Sequence, residues 1–221
     1  MKKITIAIDG PASSGKSTIA KEVAQRLGIA YIDTGAMYRG ITLALIEQNI
    51  PFADVNQIVA LMNQIKMEFK IIEGSQHLFI EGEDVSKKIR SVEVTENVSE
   101  VAAIPEVRQH LVSLQQRMAE ASSVVMDGRD IGTVVLPNAP YKFFFTASPQ
   151  VRALRRYKEN MAKGLTSQSL DEIEAAIIER DRYDSTREHS PLRKADDAIL
   201  IDTSDLTIDE IVTNIIQYVE K

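Results

Sequence analysis

The chain has 221 residues, 44% hydrophobic and 26% charged, which suits one domain with a packed core. It has no cysteine, which excludes a disulfide framework, thiolate catalysis and thiolate metal sites, and its net charge of −6 makes it a poor partner for polymeric nucleic acid. No apolar stretch approaches the roughly 18 residues of a membrane span, and Asp9 and Pro11 interrupt the N-terminal apolar run too early for a secretory segment, so a soluble, cytoplasmic monomer is the expectation.

"KITIAID" (3–9) is short, β-branched and almost wholly apolar, as a strand buried on both faces should be. Ile19, Ala20, Val23, Ala24 and Leu27 follow at helical spacing, with Gly28 as the stop. "AYID" (30–33) predicts a strand, and 36–49 and 54–65 predict helices. This β-loop-α-β-α order points to an α/β sheet with crossover helices. From residue 66 the pattern changes: "KMEFKIIE" and "HLFIEGEDV" predict two antiparallel strands around "GSQ". Helical patterning over 91–121 is broken by Pro105. "SSVVMDG" (122–128) and "YKFFFTA" (141–147) predict core strands. Ser148-Pro149 opens a helix to about Gly164, and Ser169 with Glu172 opens another to about Arg187. "AILIDTS" (198–204) predicts the last strand, and Thr207 with Glu210 caps the last helix.

Between the first strand and helix stands Gly10-Pro11-Ala12-Ser13-Ser14-Gly15-Lys16-Ser17-Thr18, which fits G-x-x-x-x-G-K-[ST]. Polyphosphate needs many donors at once, and a loop of backbone N–H groups supplies them without bulky side chains. Gly10 and Gly15 permit turns that other residues resist. The helix N-terminus aims at the phosphates, Lys16 should reach the β and γ groups, and the Ser17 hydroxyl should ligate Mg²⁺.

Asp33 and Asp127 end predicted strands, where α/β sheets bind their ligands. Asp127 fits a Mg²⁺-holding position; a helix cap or an ion pair with Lys16 or an arginine is the alternative. "MDGRDIGT" (126–133) sets Arg129 and Asp130 in a glycine-flanked turn after a buried strand. Either they pair with each other, or they face a substrate. A carboxylate there could accept from an exocyclic amine such as N4 of cytosine. Arg152, Arg155 and Arg156 share one helical face, and Arg180, Asp184 and Arg187 share another. Charged faces are often merely solvated, but two such helices joined by "KGLTSQS" suggest a hairpin that closes guanidinium groups over phosphate. His77, His110 and His189 show no metal-ligand spacing.

Seven blocks in order, "IDGPASSGKST", "DTGAMYR", "GEDVSKKIRS", "VSEVAAIPEVR", "DGRDIGTVV", "RALRRYKE" and "ERDRYDSTR", make the chain resemble the bacterial cytidylate kinases, P-loop enzymes of the nucleoside monophosphate kinase family. The resemblance implies transfer of the ATP γ-phosphate to CMP or dCMP. It implies one P-loop kinase domain over 1–221, with a nucleoside-monophosphate-binding part at 35–107 containing a β insertion at 66–90, and a helical arginine lid at 149–190. Carried over by position, Thr34, Arg39 and Arg108 would hold the acceptor phosphate, and Ser99, Arg129 and Asp130 would read cytosine. Arg180 and Asp184 would reach the sugar, Arg187 would sit near phosphate, and Arg155 and Arg156 would act on ATP. Thr34 stands where many relatives carry serine, and Ser13 and Ser14 where some carry glycine and alanine. A P-loop kinase for another small molecule is the rival reading. A guanine-nucleotide switch is disfavoured, because no N-K-x-D occurs.

Overall fold

The computed structural model describes residues 3–162, 164 and 168–220; of the connector read at 163–169, residues 163 and 165–167 lie outside them. The chain divides into two units, one formed by Met1–Ile32 and Gln116–Lys221, the other by Asp33–Gln115.

The first unit is organised by a five-stranded sheet in the order β2-β6-β1-β7-β8. Its strands are β1 (Thr5–Asp9), β2 (Ala30–Asp33), β6 (Val124–Gly128), β7 (Tyr141–Thr146) and β8 (Ile199–Asp202). β1 runs parallel to β6 and β7, and β7 parallel to β8. The central position of β1 explains its composition: Ile6, Ala7 and Ile8 are wholly buried, as a strand covered on both faces requires. Helix α1 (Lys16–Leu27) and the last helix, α8 (Ile208–Val219), contribute Ile19, Val23, Ile211, Val212 and Ile215 to the same cluster as Ile6, Ile8, Val125, Phe143 and Phe145. Full burial of each such side chain stabilises by about 1.5–3 kcal/mol. The register sets Asp9 opposite Gly128 and Phe144, and Asp127 opposite Ile8, so two carboxylates stand near the ends of the neighbouring strands β1 and β6.

Helices α6 (Pro149–Ala162) and α7 (Leu170–Thr186) pack through Ala153, Ile173 and Ile177. The capping boxes expected at Ser169 with Glu172 and at Thr207 with Glu210 are both formed. Arg129 and Asp130 stand where β6 gives way to a π-helical turn, Ile131–Val135, not to an irregular loop.

The second unit contains α2 (Thr34–Glu47), α3 (Val55–Gln64), the antiparallel sheet β3 (Met67–Ile72), β4 (Ser75–Ile80) and β5 (Glu83–Asp84), α4 (Val92–Val101) and the start of α5 (Pro105–Ala121). Leu43, Leu78, Val85, Ile89 and Val94 form its core cluster. The sheet has one strand more than the hairpin read from the sequence, because "HLFIEGEDV" is cut by a second tight turn. At Glu73-Gly74 (φ 49° and 76°) and again at Glu81-Gly82 (φ 49° and 82°), both central residues are left-handed. That is the geometry of two-residue hairpins whose twist matches the strands. The first turn thus precedes the "GSQ" centre by one residue, with Ser75 and Gln76 already in β4.

Candidate nucleotide-binding site

The loop from β1 into α1 has the conformation its residue types allow. Gly10 has φ 150°, and a Cβ there would collide with the Phe145 carbonyl oxygen. Gly15, with φ 89°, caps α1, and Ser13, with φ 59°, is a rare left-handed serine. Positive φ at three of these six positions gives the tight turns from which an anion-binding loop is built.

Lys16 is buried and folds back on the loop: its Nζ donates to the Pro11 carbonyl at 2.6 Å and to Ser14 Oγ at 3.3 Å. Burial, then the neighbouring Arg129, depresses its pKa; Asp127 and Asp9 oppose this without cancelling it. Ser17 Oγ donates to Asp127 Oδ2 at 2.7 Å, and the Tyr31 hydroxyl donates to Asp127 Oδ1 at 2.8 Å. Asp127 is therefore not a helix cap. Its carboxylate and the Ser17 hydroxyl present hard oxygen donors side by side, a set that suits Mg²⁺ when phosphates complete the shell. Among the described residues no group of three or more His, Asp or Glu could hold a metal alone. Thr18 is exposed on α1.

Arginines of α6 brace this loop. Arg152 is buried; it donates to the carbonyls of Ala12 at 3.1 Å and Ala147 at 2.9 Å and pairs with Asp181 at 2.6 Å. Arg156 Nε donates to Ser13 Oγ at 3.2 Å, while its guanidinium lies 3.6 Å from Glu159. Arg155 donates instead to Thr203, through both its hydroxyl and its carbonyl, and Thr203 Oγ1 donates in turn to the Ser14 carbonyl at 3.0 Å. Two of the three arginines thus touch the loop directly, Arg152 at Ala12 and Arg156 at Ser13, and Arg155 reaches it through Thr203.

Arg129 pairs with Asp184, at 3.0 Å. Burial alone would raise the Asp184 carboxyl, yet Arg129, Arg180 and Arg187 together hold it below its ordinary value. Arg187 also donates to the Ser190 carbonyl, at 2.6 and 2.8 Å. Asp130 is buried, and its carbonyl accepts from Val134 and Val135 within the π-helical turn.

In the second unit, Asp33 is the N-cap of α2, accepting from Ala36 N at 2.8 Å, and it pairs with Arg39 at 3.2 Å. Thr34, the first residue of α2, is buried. Arg108 is buried on α5, donates to the Ala102 carbonyl at 3.0 Å and lies 5.4 Å from the Tyr38 ring centroid. Ser99 is half-buried on α4.

Four residues around the loop were not singled out in the sequence: Asp9, Tyr31, Arg152 as a brace, and Thr203. Asp9 had a signal. It ends a buried strand, as Asp33 and Asp127 do. Its carboxylate accepts from the amides of Ile131 and Gly132, at 2.7 Å each, and burial raises its pKa to about 7.

A family model described as cytidylate kinase matches residues 6–221. A cytidylate kinase of Ligilactobacillus salivarius is 52% identical over 221 residues, covering 100% of this chain and 98% of that protein. One of Listeria monocytogenes is 52% identical over 219 residues, covering 99% and 97%. Among solved structures, shikimate kinase from Bacteroides thetaiotaomicron aligns with a TM-score of 0.52 at 13% identity, over 99% of both chains, a likeness of fold alone. A match this long, over a phosphate loop whose lysine, serine and partner carboxylate are in place, makes the chain a member of the cytidylate kinase family.

Proposed function

We propose that this protein transfers the γ-phosphoryl group of ATP to CMP and dCMP, yielding the diphosphates. The observation that carries the reading is the 52% identity to a cytidylate kinase along the whole chain. The backbone N–H groups of 10–18 would cradle the donor phosphates, and Lys16 would exchange the Pro11 carbonyl for phosphate oxygen. Arg156 already touches the loop, and Arg155 would leave Thr203 to join it. Ser17 and Asp127 would hold Mg²⁺, which supplies charge neutralisation on the polyphosphate.

The acceptor assignments follow the family resemblance residue by residue. Thr34, Arg39 and Arg108 would serve its phosphate, and Ser99, Arg129 and Asp130 its base. Arg180 and Asp184 would serve the sugar, with Arg187 near phosphate. In the same way, 35–107 would be the monophosphate-binding part and 149–190 the lid. The acceptor is already an anion, so these residues bind, orient and neutralise, and no strong base is needed. Cytosine offers an amine to a carboxylate where uracil offers a carbonyl, so Asp130 would favour the former.

A coupled ADP-release assay with CMP, dCMP, UMP, AMP, dTMP and shikimate tests the reading. Turnover should be greatest with CMP and dCMP. Asp130→Ala should raise the KM for CMP and narrow the CMP-over-UMP preference about tenfold, since an unmatched buried polar group costs roughly 1–3 kcal/mol. Greatest turnover with a different acceptor overturns the function; an unchanged preference overturns the role of Asp130.

A further inference from the structure

We propose that Asp9 is a positioning residue whose buried carboxylate holds the turn carrying Arg129 and Asp130, and so governs how tightly the acceptor nucleotide binds. The inference rests on the assignment of that turn to the acceptor.

Asp9 is the last residue of β1 and only 4% exposed. One carboxylate oxygen accepts from Ile131 N and the other from Gly132 N, both at 2.7 Å. The first N–H groups of any helical turn lack partners within it. Here a side chain more than 120 positions earlier in the chain satisfies two of them. The turn is π-helical, a rare geometry that recurs at functional sites. The Ile131 nitrogen belongs to the peptide that follows Asp130, whose φ of −144° and ψ of 24° fit neither strand nor helix. The fork therefore sets the orientation of that peptide, and with it the place from which the Asp130 side chain departs. Gly132 keeps the space open, because a Cβ there would lie 3.3 Å from Asp9 Oδ2 and 3.2 Å from Lys142 Cδ.

The phosphate loop has anchors of its own. Arg152 holds the Ala12 carbonyl, Thr203 holds the Ser14 carbonyl, and Ser14 Oγ holds the Pro11 carbonyl. Loss of the Asp9 carboxylate should therefore disturb acceptor binding far more than donor binding, which it reaches only through its charge on Lys16; Gly132→Ala leaves that charge in place.

Asp9→Asn keeps the volume and one acceptor oxygen but turns an NH₂ toward an N–H. Asp9→Asn, Gly132→Ala and the double variant are compared in the full chain by KM for CMP, KM for ATP, CMP-over-UMP preference and melting temperature. Asp9→Asn should raise the KM for CMP about tenfold and change the KM for ATP less than about twofold, the scale of one buried donor losing its acceptor. Gly132→Ala should shift the same constants in the same direction, and the double variant should be no worse than the worse single one, because both act on one fork. A lower melting temperature with unchanged KM for CMP, or equal rises in both KM values, overturns the proposal. If Asp9→Asn does not fold, Gly132→Ala decides by the same constants, and failure of both to fold assigns the fork to stability and also overturns it. Asp130→Ala separates the two readings. A raised KM for CMP in Asp9→Asn with an unaltered preference in Asp130→Ala keeps the positioning role and removes base reading. The reverse pattern removes the positioning role alone.

Discussion

Asp184 stands among three guanidinium groups and is nearly inaccessible to solvent. Burial opposes its ionisation, but the arginines win, so its folded pKa lies below that of the unfolded chain. The sign of the pH effect follows. The unfolded carboxyl titrates near pH ~3.9, so the stabilisation is complete above about pH 4 and is lost as pH falls through the lower, folded value. Asp184→Asn keeps the shape and discards the charge, at a cost of about 3 kcal/mol for removing the anion of a largely desolvated ion-pair cluster. In urea unfolding the gap between the two proteins should be constant from about pH 5 to 7 and narrow below about pH 4. A gap independent of pH would mean that the carboxylate acts only as a neutral acceptor.

The phosphate loop shows two reasons for glycine within six residues. At Gly10 a side chain would strike the Phe145 carbonyl; at Gly15 nothing lies within 4 Å, and only the positive φ discriminates. Gly15→Ala should therefore cost about 1 kcal/mol from backbone conformation. Gly10→Ala should cost about 1–3 kcal/mol more, because β1 and β7 must part to admit a methyl group. Chemical denaturation of the two variants checks the order, and a Gly15 variant less stable than the Gly10 variant would contradict the steric argument. The helix termini are simpler. Ser169, Thr207, Asp33 and Asp54 each accept from a first-turn amide of the helix they cap. This is local chemistry, and it is why the starts at Ser169 and Thr207 were legible while the interior partners of the arginines were not; the helix expected from residue 36 begins at Thr34, because Asp33 caps it.

In the molecule as a whole, an acidic chain must meet anionic ligands with local cations. On the proposed assignments the first unit would do so with Lys16, Arg129, Arg156, Arg180 and Arg187, and the second with Arg39 and Arg108. Among the described residues no helix is long and apolar enough to cross a membrane. A ligand that binds only the folded chain stabilises it by mass action, about 2.7 kcal/mol at 100 times its dissociation constant. For a chain of this size that corresponds to a rise of about 5–10 °C in melting temperature. ATP should raise the melting temperature by this amount in the wild type. In Lys16→Ala the ATP-dependent rise should largely vanish while the rise with CMP remains. An undiminished ATP effect would remove Lys16 from donor binding.

Residue order alone settled the α/β class, the strand–loop–helix phosphate motif, the capping boxes at Ser169 and Thr207 and the seven blocks shared with the cytidylate kinases. All of these depend on neighbours within a few positions, or on the face that a periodic pattern turns to the core. Folding decided the partners. Arg129 chose Asp184, 55 positions away; Arg152 chose the Ala12 carbonyl, 140 positions away; and Asp9 chose the amides of Ile131 and Gly132. It also cut one expected strand in two at Glu81-Gly82. Such pairings are fixed by the order of strands in the sheet and by the exclusion of water around buried charge, and neither is written in any short stretch of the chain.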